Sequence, residues 1–362
     1  MATGARRLMN ILDRYLFRAV ATATLVTLLV LLLLEMLLTL LAELESVGQA
    51  QYDFMAALHY LLLIQPRRLY DLFPMALLVG SLLGMGALAS GSELIVMRAA
   101  GLSLTRLTGA VAGTGLLLSI AVVLMGEFIA PPLEQFAREQ RATAKGENLE
   151  IRGGRGFWAR DGDDFIHVQA VLPGVRLAGI RVFRVNPDAR LEWATHAESA
   201  RYQEGRWQLE GISRSRLEGV AVLTEYLPSL TVASAISPQI LDVLAARPDD
   251  LSFRDLRVYI DYLERNGLDA QSYQLAMWRK AFAPLAYLAM LVIAMPFVFG
   301  PQRASGAGQR LLIGLMLGLA FFLMNYLLGN VVLLYGYSPL VGASLPSLLF
   351  LGAGFYALRR LR

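Results

Sequence analysis

Six stretches of the chain are apolar for long enough to cross a bilayer, and one polar stretch between them alternates with the two-residue period of strands. The first apolar run, Leu16 to Leu41, has Arg6, Arg7, Arg14 and Arg18 before or at its start and carries Glu35 inside it. It is too long for a secretory leader and lacks a small-residue cleavage site, so it is expected to stay as a membrane helix. The second is expected in two pieces, a helical start from Phe54 to Ile64 and a main run from Leu69 to Ala89, with a break at Pro66. The third runs from Leu107 to Ile129 and stops at Pro131-Pro132; the last three cover Leu275 to Phe299, Arg310 to Leu334 and Leu340 to Leu358.

Between Asn148 and Asp249 the pattern changes to short alternating strands. Turns at Asp161-Gly162, at Asn186-Pro187-Asp188 and at Glu204-Gly205 predict three hairpins. A sandwich-like core is expected from Phe157, Phe165, Ile180, Phe183, Trp193, Tyr202, Trp207 and Leu209. A helix from Phe253 to Asn266, capped by Ser252 and stopped by Gly267, leads back to the apolar runs. The fold class is thus a polytopic α-helical membrane protein with six transmembrane helices and an inserted all-β domain. Its parts are residues 1–131, a membrane half; 132–268, the β domain with its connecting helix; and 269–362, a second membrane half.

One short segment interrupts the second and third runs. After Ala89, Ser90, Gly91 and Ser92 the residues Glu93 to Ala100 predict a brief helix, with Gly101 as its stop and Ser103 as the next N-cap. Leu94, Met97 and Ala100 share one face at helical spacing, which leaves Glu93 and Arg98 to project elsewhere and presents a carboxylate outward.

Charge sets the orientation of this frame. Arginines precede the first run and follow the last, at Arg359, Arg360 and Arg362, and the loop GPQRASGAGQR is basic, whereas Glu43 to Asp53 carries acids and no lysine or arginine. The positive-inside rule then puts both termini and the Glu93 helix in the cytoplasm and the β domain outside. From Arg68 to Arg98 a helix would run roughly 45 Å, the depth of a bilayer with its headgroups.

The composition agrees: 362 residues, 56% hydrophobic and 17% charged. The net charge of +4 comes from arginines at span ends, which suits a membrane surface better than nucleic acid. No cysteine and three scattered histidines, His59, His167 and His196, leave no thiolate or histidine metal cluster in view. The two lysines precede Gly146 and Ala281, so the phosphate-loop pattern of lysine followed by Ser or Thr does not occur, and any ATP-driven role needs a separate motor. Asp161, Asp163, Asp164 and His167 lie close together, but the aspartates fall on a hairpin turn, where they serve the backbone. Arg67, Arg68, Arg138 and Arg141 lie at outer span ends, against the charge rule. Guanidinium groups there suit bidentate contact with a phosphate headgroup, and equally suit pairing with Glu127 or Glu134.

Seven stretches resemble the LptF/LptG family of lipopolysaccharide-export permeases: LDRYL at Leu12 to Leu16, FPMALLVGSLLGMGALA at Phe73 to Ala89, SELIVMRAAG at Ser92 to Gly101, GEFIAP at Gly126 to Pro131, GFWARDGDDFI at Gly156 to Ile166, YQLAMWRKAFAPL at Tyr273 to Leu285 and FVFGPQR at Phe297 to Arg303. They occur in order along nearly the whole chain, and the first and fifth favour the LptG side of the family.

The resemblance implies an inner-membrane permease subunit with a periplasmic jellyroll-like β domain, working with a dimer of the ATPase LptB, the sister permease LptF and LptC with its periplasmic bridge. It implies that Ser92, Glu93, Leu94, Met97 and Arg98 form the coupling helix on the ATPase, and that Arg67, Arg138 and Arg141, with Arg68 beside them, meet the lipid A phosphates. It implies no cofactor and no catalytic or metal site in this chain, the ATP being used by the partner. One departure is that lysines found in some members near the outer end of the first span are here Thr39, Glu45 and Ser46. The rival readings are a lipid- or glycan-modifying enzyme and a non-transporting scaffold or sensor; co-purification with a P-loop ATPase separates both from an exporter.

Overall fold

The structure is a computed structural model, which describes residues 2–146, 156–172, 176–186, 188, 190–203, 205–218, 221–232, 236, 240, 247–300 and 306–360, with side chains from residue 11 except at 171, 172, 217, 218 and 221. The expected turn residues Pro187 and Glu204, residues 301–305 of the basic loop, the end at Arg362 and the side chains of Arg6 and Arg7 lie outside the described residues.

The described helices are α1 (Ala2–Leu44), α2 (Phe54–Ser90), α3 (Glu93–Ala99), α4 (Leu104–Phe128), α5 (Ala130–Ala144), α6 (Phe253–Arg265), α7 (Gln271–Phe299), α8 (Ala307–Tyr335) and α9 (Pro339–Arg359). Six of them, α1, α2, α4, α7, α8 and α9, are long and apolar enough to cross a membrane. By contacts the chain divides into a helical unit of residues 1–47, 57–137 and 274–362, and a second unit of residues 48–56 and 138–273.

In the helical unit α2 is the hub. Of its most apolar stretch 72% is buried, against 6% for α1, whose leucines at 25, 29, 33, 37 and 41 are more than half exposed. The core cluster joins Leu16 and Val20 of α1, Phe73, Leu77, Leu78 and Met85 of α2, Leu107 and Val111 of α4 and Met290 and Met295 of α7. Helices pack closely where one offers no side chain: a Cβ on Gly80 or Gly84 would meet Thr24 or the Ala19 carbonyl of α1.

One expectation fails here. Helix α2 runs unbroken for 37 residues through Pro66 and Pro74. The break rule describes an isolated helix; α2 is packed on its neighbours through most of its length, and that packing keeps the helix on both sides of each proline. Pro131 and Pro132 do not precede the next helix either, but sit in the first turn of α5, where a missing N–H costs nothing.

In the second unit six strands, β1 (Phe157–Asp161), β2 (Asp164–Leu172), β3 (Arg176–Val185), β4 (Leu191–Gln203), β5 (Arg206–Glu218) and β6 (Ala221–Val232), form one antiparallel sheet paired in chain order. The jellyroll-like domain implied by the resemblance is all-β, and among the described residues its strands follow an up-and-down order. Asp161 faces Asp164 across Gly162, whose φ of 61° suits glycine in a tight hairpin. Buried residues line up across the strands, Val168 with Ile180, Ala197 and Ile212, and Leu177 with Ala200 and Leu209.

Of the expected core residues, Ile180, Trp207 and Leu209 are buried, and the Trp207 indole donates to the Ile236 carbonyl at 2.7 Å. Phe165 instead is exposed beneath the Arg160 guanidinium, and Trp193 lies between Arg184 and Arg214 at 4.7 and 5.0 Å. Aromatic rings on a sheet face shared with arginines gain cation–π contact without full burial. Helix α6 docks on the first hairpin: the Tyr262 hydroxyl donates to the Arg160 carbonyl at 2.9 Å, and the Gly162 N–H donates to Asn266 Oδ1 at 2.9 Å.

Candidate functional site

Helix α3 has seven residues and is built by its ends. The chain leaves α2 through Ser92 in the left-handed region at φ 59°, and Glu93 then opens the helix with an acid in its first turn, complementing the helix dipole. Gly101 at φ 92° reverses the chain, and the Ser103 hydroxyl accepts the Arg106 N–H at 3.2 Å to cap α4.

Leu94 is 3% exposed, in the main core cluster, and Met97 packs against that cluster. Ala100, expected on the same face, is exposed, because α3 ends at Ala99 and Ala100 is its C-cap. Glu93 is half-buried rather than outward: its Oε2 accepts the Tyr15 hydroxyl of α1 at 2.7 Å. The outward surface belongs to Ile95 and Val96, 47% and 66% exposed, with Arg98 and Ala99. Beside it lies an open cavity of about 360 Å³ lined by Ala89, Leu94, Ile95, Arg98, Ala99 and, from the end of α7, Val298 and Phe299.

The four arginines fall into two pairs in different units. Arg67 and Arg68 are neighbours on α2 with different partners: Arg67 Nε is 3.1 Å from Asp71 one turn on, with its guanidinium over the Tyr70 ring, while Arg68 Nε lies 2.8 Å from Glu35 Oε1 on α1. Arg138 and Arg141 share α5, and Arg138 Nη2 meets Asp250 Oδ2 at 2.5 Å. The carboxylate holding Arg138 therefore comes from a residue 112 positions away, a distance at which sequence alone suggests no pairing.

Sequence reasoning missed the charges on α7. Lys280 Nζ lies 3.4 Å from Glu127 Oε2 of α4, both side chains mostly buried, and it faces the Tyr70 ring at 5.8 Å. The Arg279 guanidinium donates to the Asn325 carbonyl of α8 at 3.0 Å, in space left open by Gly329. The available signal was that opposite charges inside two apolar spans favour pairing with each other over lipid. In the β domain Asp164 is engaged by Arg184 through two bonds of 2.7 and 2.6 Å, which holds the Arg184 guanidinium above its ordinary pKa. His167 packs against the Trp158 ring.

Six helices long and apolar enough to cross a membrane, an inserted all-β domain and a short helix between the second and third spans together define a polytopic membrane protein. The family model described as lipopolysaccharide export system permease LptF/LptG matches residues 14–360. The chain is 35% identical to the lipopolysaccharide export system permease protein LptG of Escherichia coli strain K12 over 354 residues, 97% of this chain and 98% of that one. It is 33% identical to LptG of Haemophilus influenzae over 359 residues, 98% of this chain and 100% of the relative. The chain belongs to the LptF/LptG family and is a lipopolysaccharide export permease subunit.

Proposed function

We propose that this subunit pairs with a sister permease, LptF, and with two copies of the ATPase LptB to extract lipopolysaccharide from the inner membrane and pass it to the periplasmic bridge that LptC begins. The match to export permeases over residues 14–360 carries this reading. Both termini and α3 face the cytoplasm and the β domain faces the periplasm, which the arginine distribution supports. The chain itself needs no cofactor, since ATP is turned over in the partner.

Helix α3 is the ATPase-coupling element. The exposed Ile95 and Val96, with Arg98 and Ala99 at the edge of the cavity, suit burial against a partner groove, while Leu94 and Met97 anchor the helix to its own subunit. Glu93 supplies the carboxylate for a basic group of the ATPase. Arg67 and Arg68 in the helical unit, and Arg138 and Arg141 in the second unit, receive lipid A phosphates. Three of these have carboxylates close by in Asp71, Glu35 and Asp250, so a phosphate gains access by exchanging with an acid.

The decisive experiment is purification of the intact subunit with its partners. Wild type is expected to bring down a P-loop ATPase, and Glu93→Ala to weaken that assembly or to separate hydrolysis from lipid release; normal assembly and release would remove α3 from the coupling role. Charge reversal by Arg138→Glu with Arg141→Glu is expected to reduce crosslinking to lipopolysaccharide while sparing assembly. Equal crosslinking to wild type would count against the headgroup site.

A further inference from the structure

The LDRYL stretch at Leu12 to Leu16 helps to identify the family, yet the proposed function gives it no task. In the structure two of its polar side chains, Asp13 and Tyr15, reach to either end of the coupling segment. The Tyr15 hydroxyl donates to Glu93 Oε2 at 2.7 Å, at the start of α3, and Asp13 Oδ2 accepts Arg106 Nη2 at 2.6 Å, at the start of α4. Both bonds span long separations in the chain, 78 and 93 residues, so they are features of the packed helices and not of a local turn.

The remainder of this part of α1 is rigidly held. Leu16, Val20 and Thr24 are fully buried, and Ala19 and Thr24 press on Gly84 and Gly80 of α2. Past residue 24 the leucine row faces outward. The helix therefore has one end tied to the coupling segment and a longer part that packs on one face only, leaving its leucine row exposed, so a displacement of α3 has a direct route into α1.

We propose that Tyr15 and Asp13 are positioning residues that make α1 part of the coupling machinery: the tyrosine orients the Glu93 carboxylate and ties it to α1, and the aspartate fixes the following turn through Arg106. The inference rests on α3 being the ATPase-docking helix. Glu93 has two oxygens, and the Tyr15 bond involves Oε2 alone, so a basic group of the partner approaching Oε1 would meet a carboxylate already held in one orientation. A hydrogen bond to a charged acceptor is stronger than one between neutral groups, which makes this tie fit to transmit movement.

The test compares Tyr15→Phe, which removes one hydroxyl and leaves the ring, with wild type in purified complexes containing the partner ATPase. The readout is lipopolysaccharide released per ATP hydrolysed, a ratio that a loss of protein or a lower yield of complex does not change. We expect that ratio to fall by about tenfold, the size set by losing one hydrogen bond to a charged group. Asp13→Arg and Arg106→Asp are each expected to lower it, and the two together to restore it. An unchanged ratio in Tyr15→Phe overturns the inference, as does failure of the paired exchange to recover what either single change lost. Glu93→Ala in the same preparation keeps the two ideas apart: if it alters neither assembly nor release, the docking role of α3 is wrong, whereas if it impairs them and Tyr15→Phe does not, only the link to α1 is.

Discussion

Glu35 shows how a single carboxylate can serve two helices at once. Its Oε1 receives the Thr39 hydroxyl at 2.8 Å and lies 2.8 Å from Arg68 Nε, while among the described residues the buried Oε2 accepts no hydrogen bond. The Arg68 contact is an ion pair by distance, with the Nε–H turned out of hydrogen-bond alignment. An incompletely satisfied pair yields readily to a better acceptor. Glu35→Gln preserves the size and the Thr39 contact but removes the countercharge, so crosslinking of lipopolysaccharide at position 68 is expected to rise by roughly fivefold, in line with a partly exposed ion pair worth about 1 kcal/mol. Unchanged crosslinking would mean that Arg68 does not meet a headgroup.

A second residue-scale effect lies in the β domain. Burial pushes the Tyr262 hydroxyl above its ordinary pKa, partly opposed by its bond with the Arg160 backbone, and burial pushes Tyr259 up further. The folded state holds the proton more tightly than the unfolded one, so these tyrosines contribute their full stability below about pH 10 and lose it as pH rises through the folded values. Near-ultraviolet circular dichroism from pH 8 upward is expected to show a shallower alkaline loss for Tyr262→Phe than for wild type. An equally steep loss would place the titration elsewhere.

At the scale of elements, the contact between α1 and α2 depends on the absence of two side chains. A Cβ at Gly80 would run into Thr24 backbone and side chain, and neither can give way without moving the helix. Gly80→Ala is expected to lower stability by about 1–3 kcal/mol through forced separation of the helices, read as an earlier thermal transition in detergent; Gly109→Ala, with open space at its Cβ position, is the control expected to change little. Unaltered melting of Gly80→Ala would show that the two helices have room to spare.

The elements themselves were largely readable in the chain. Ser103 and Ser252 cap, and Gly101 and Gly267 stop, where the residues said they would, because capping depends on neighbours within one turn. Asp161-Gly162 announced its hairpin for the same reason. Pro66 misled because the packing of α2 on its neighbours, which the sequence does not show, outweighs one lost backbone bond. What stayed hidden was the rotation of one helix against another: Lys280 and Glu127, 153 residues apart, and Tyr15 with Glu93 find each other only after the apolar faces have chosen their partners. The cation contacts of Phe165 and Trp193 were hidden likewise, since Arg160 lies across the first hairpin from Phe165, and Arg184 and Arg214 reach Trp193 from the strands on either side.

Over the whole molecule, the Arg68–Glu35 pair has a consequence for the lipid around it. On α1 the exposed leucines continue past Glu35 to Leu41, so the pair sits within the apolar row; from Arg18 to Glu35 the helix measures about 25 Å at 1.5 Å per residue, shorter than the roughly 30 Å of hydrocarbon in an ordinary bilayer. A charge pair at that depth draws headgroups and water toward it, so the membrane beside it is expected to thin locally. In vesicles of graded acyl-chain length, release is expected to peak with shorter chains than the native average, and Glu35→Leu to move the optimum toward longer ones; an optimum indifferent to chain length would contradict this. A lipid standing in such a pinched ring has already surrendered part of its packing with its neighbours, and so is that much nearer to leaving the membrane before any ATP is spent.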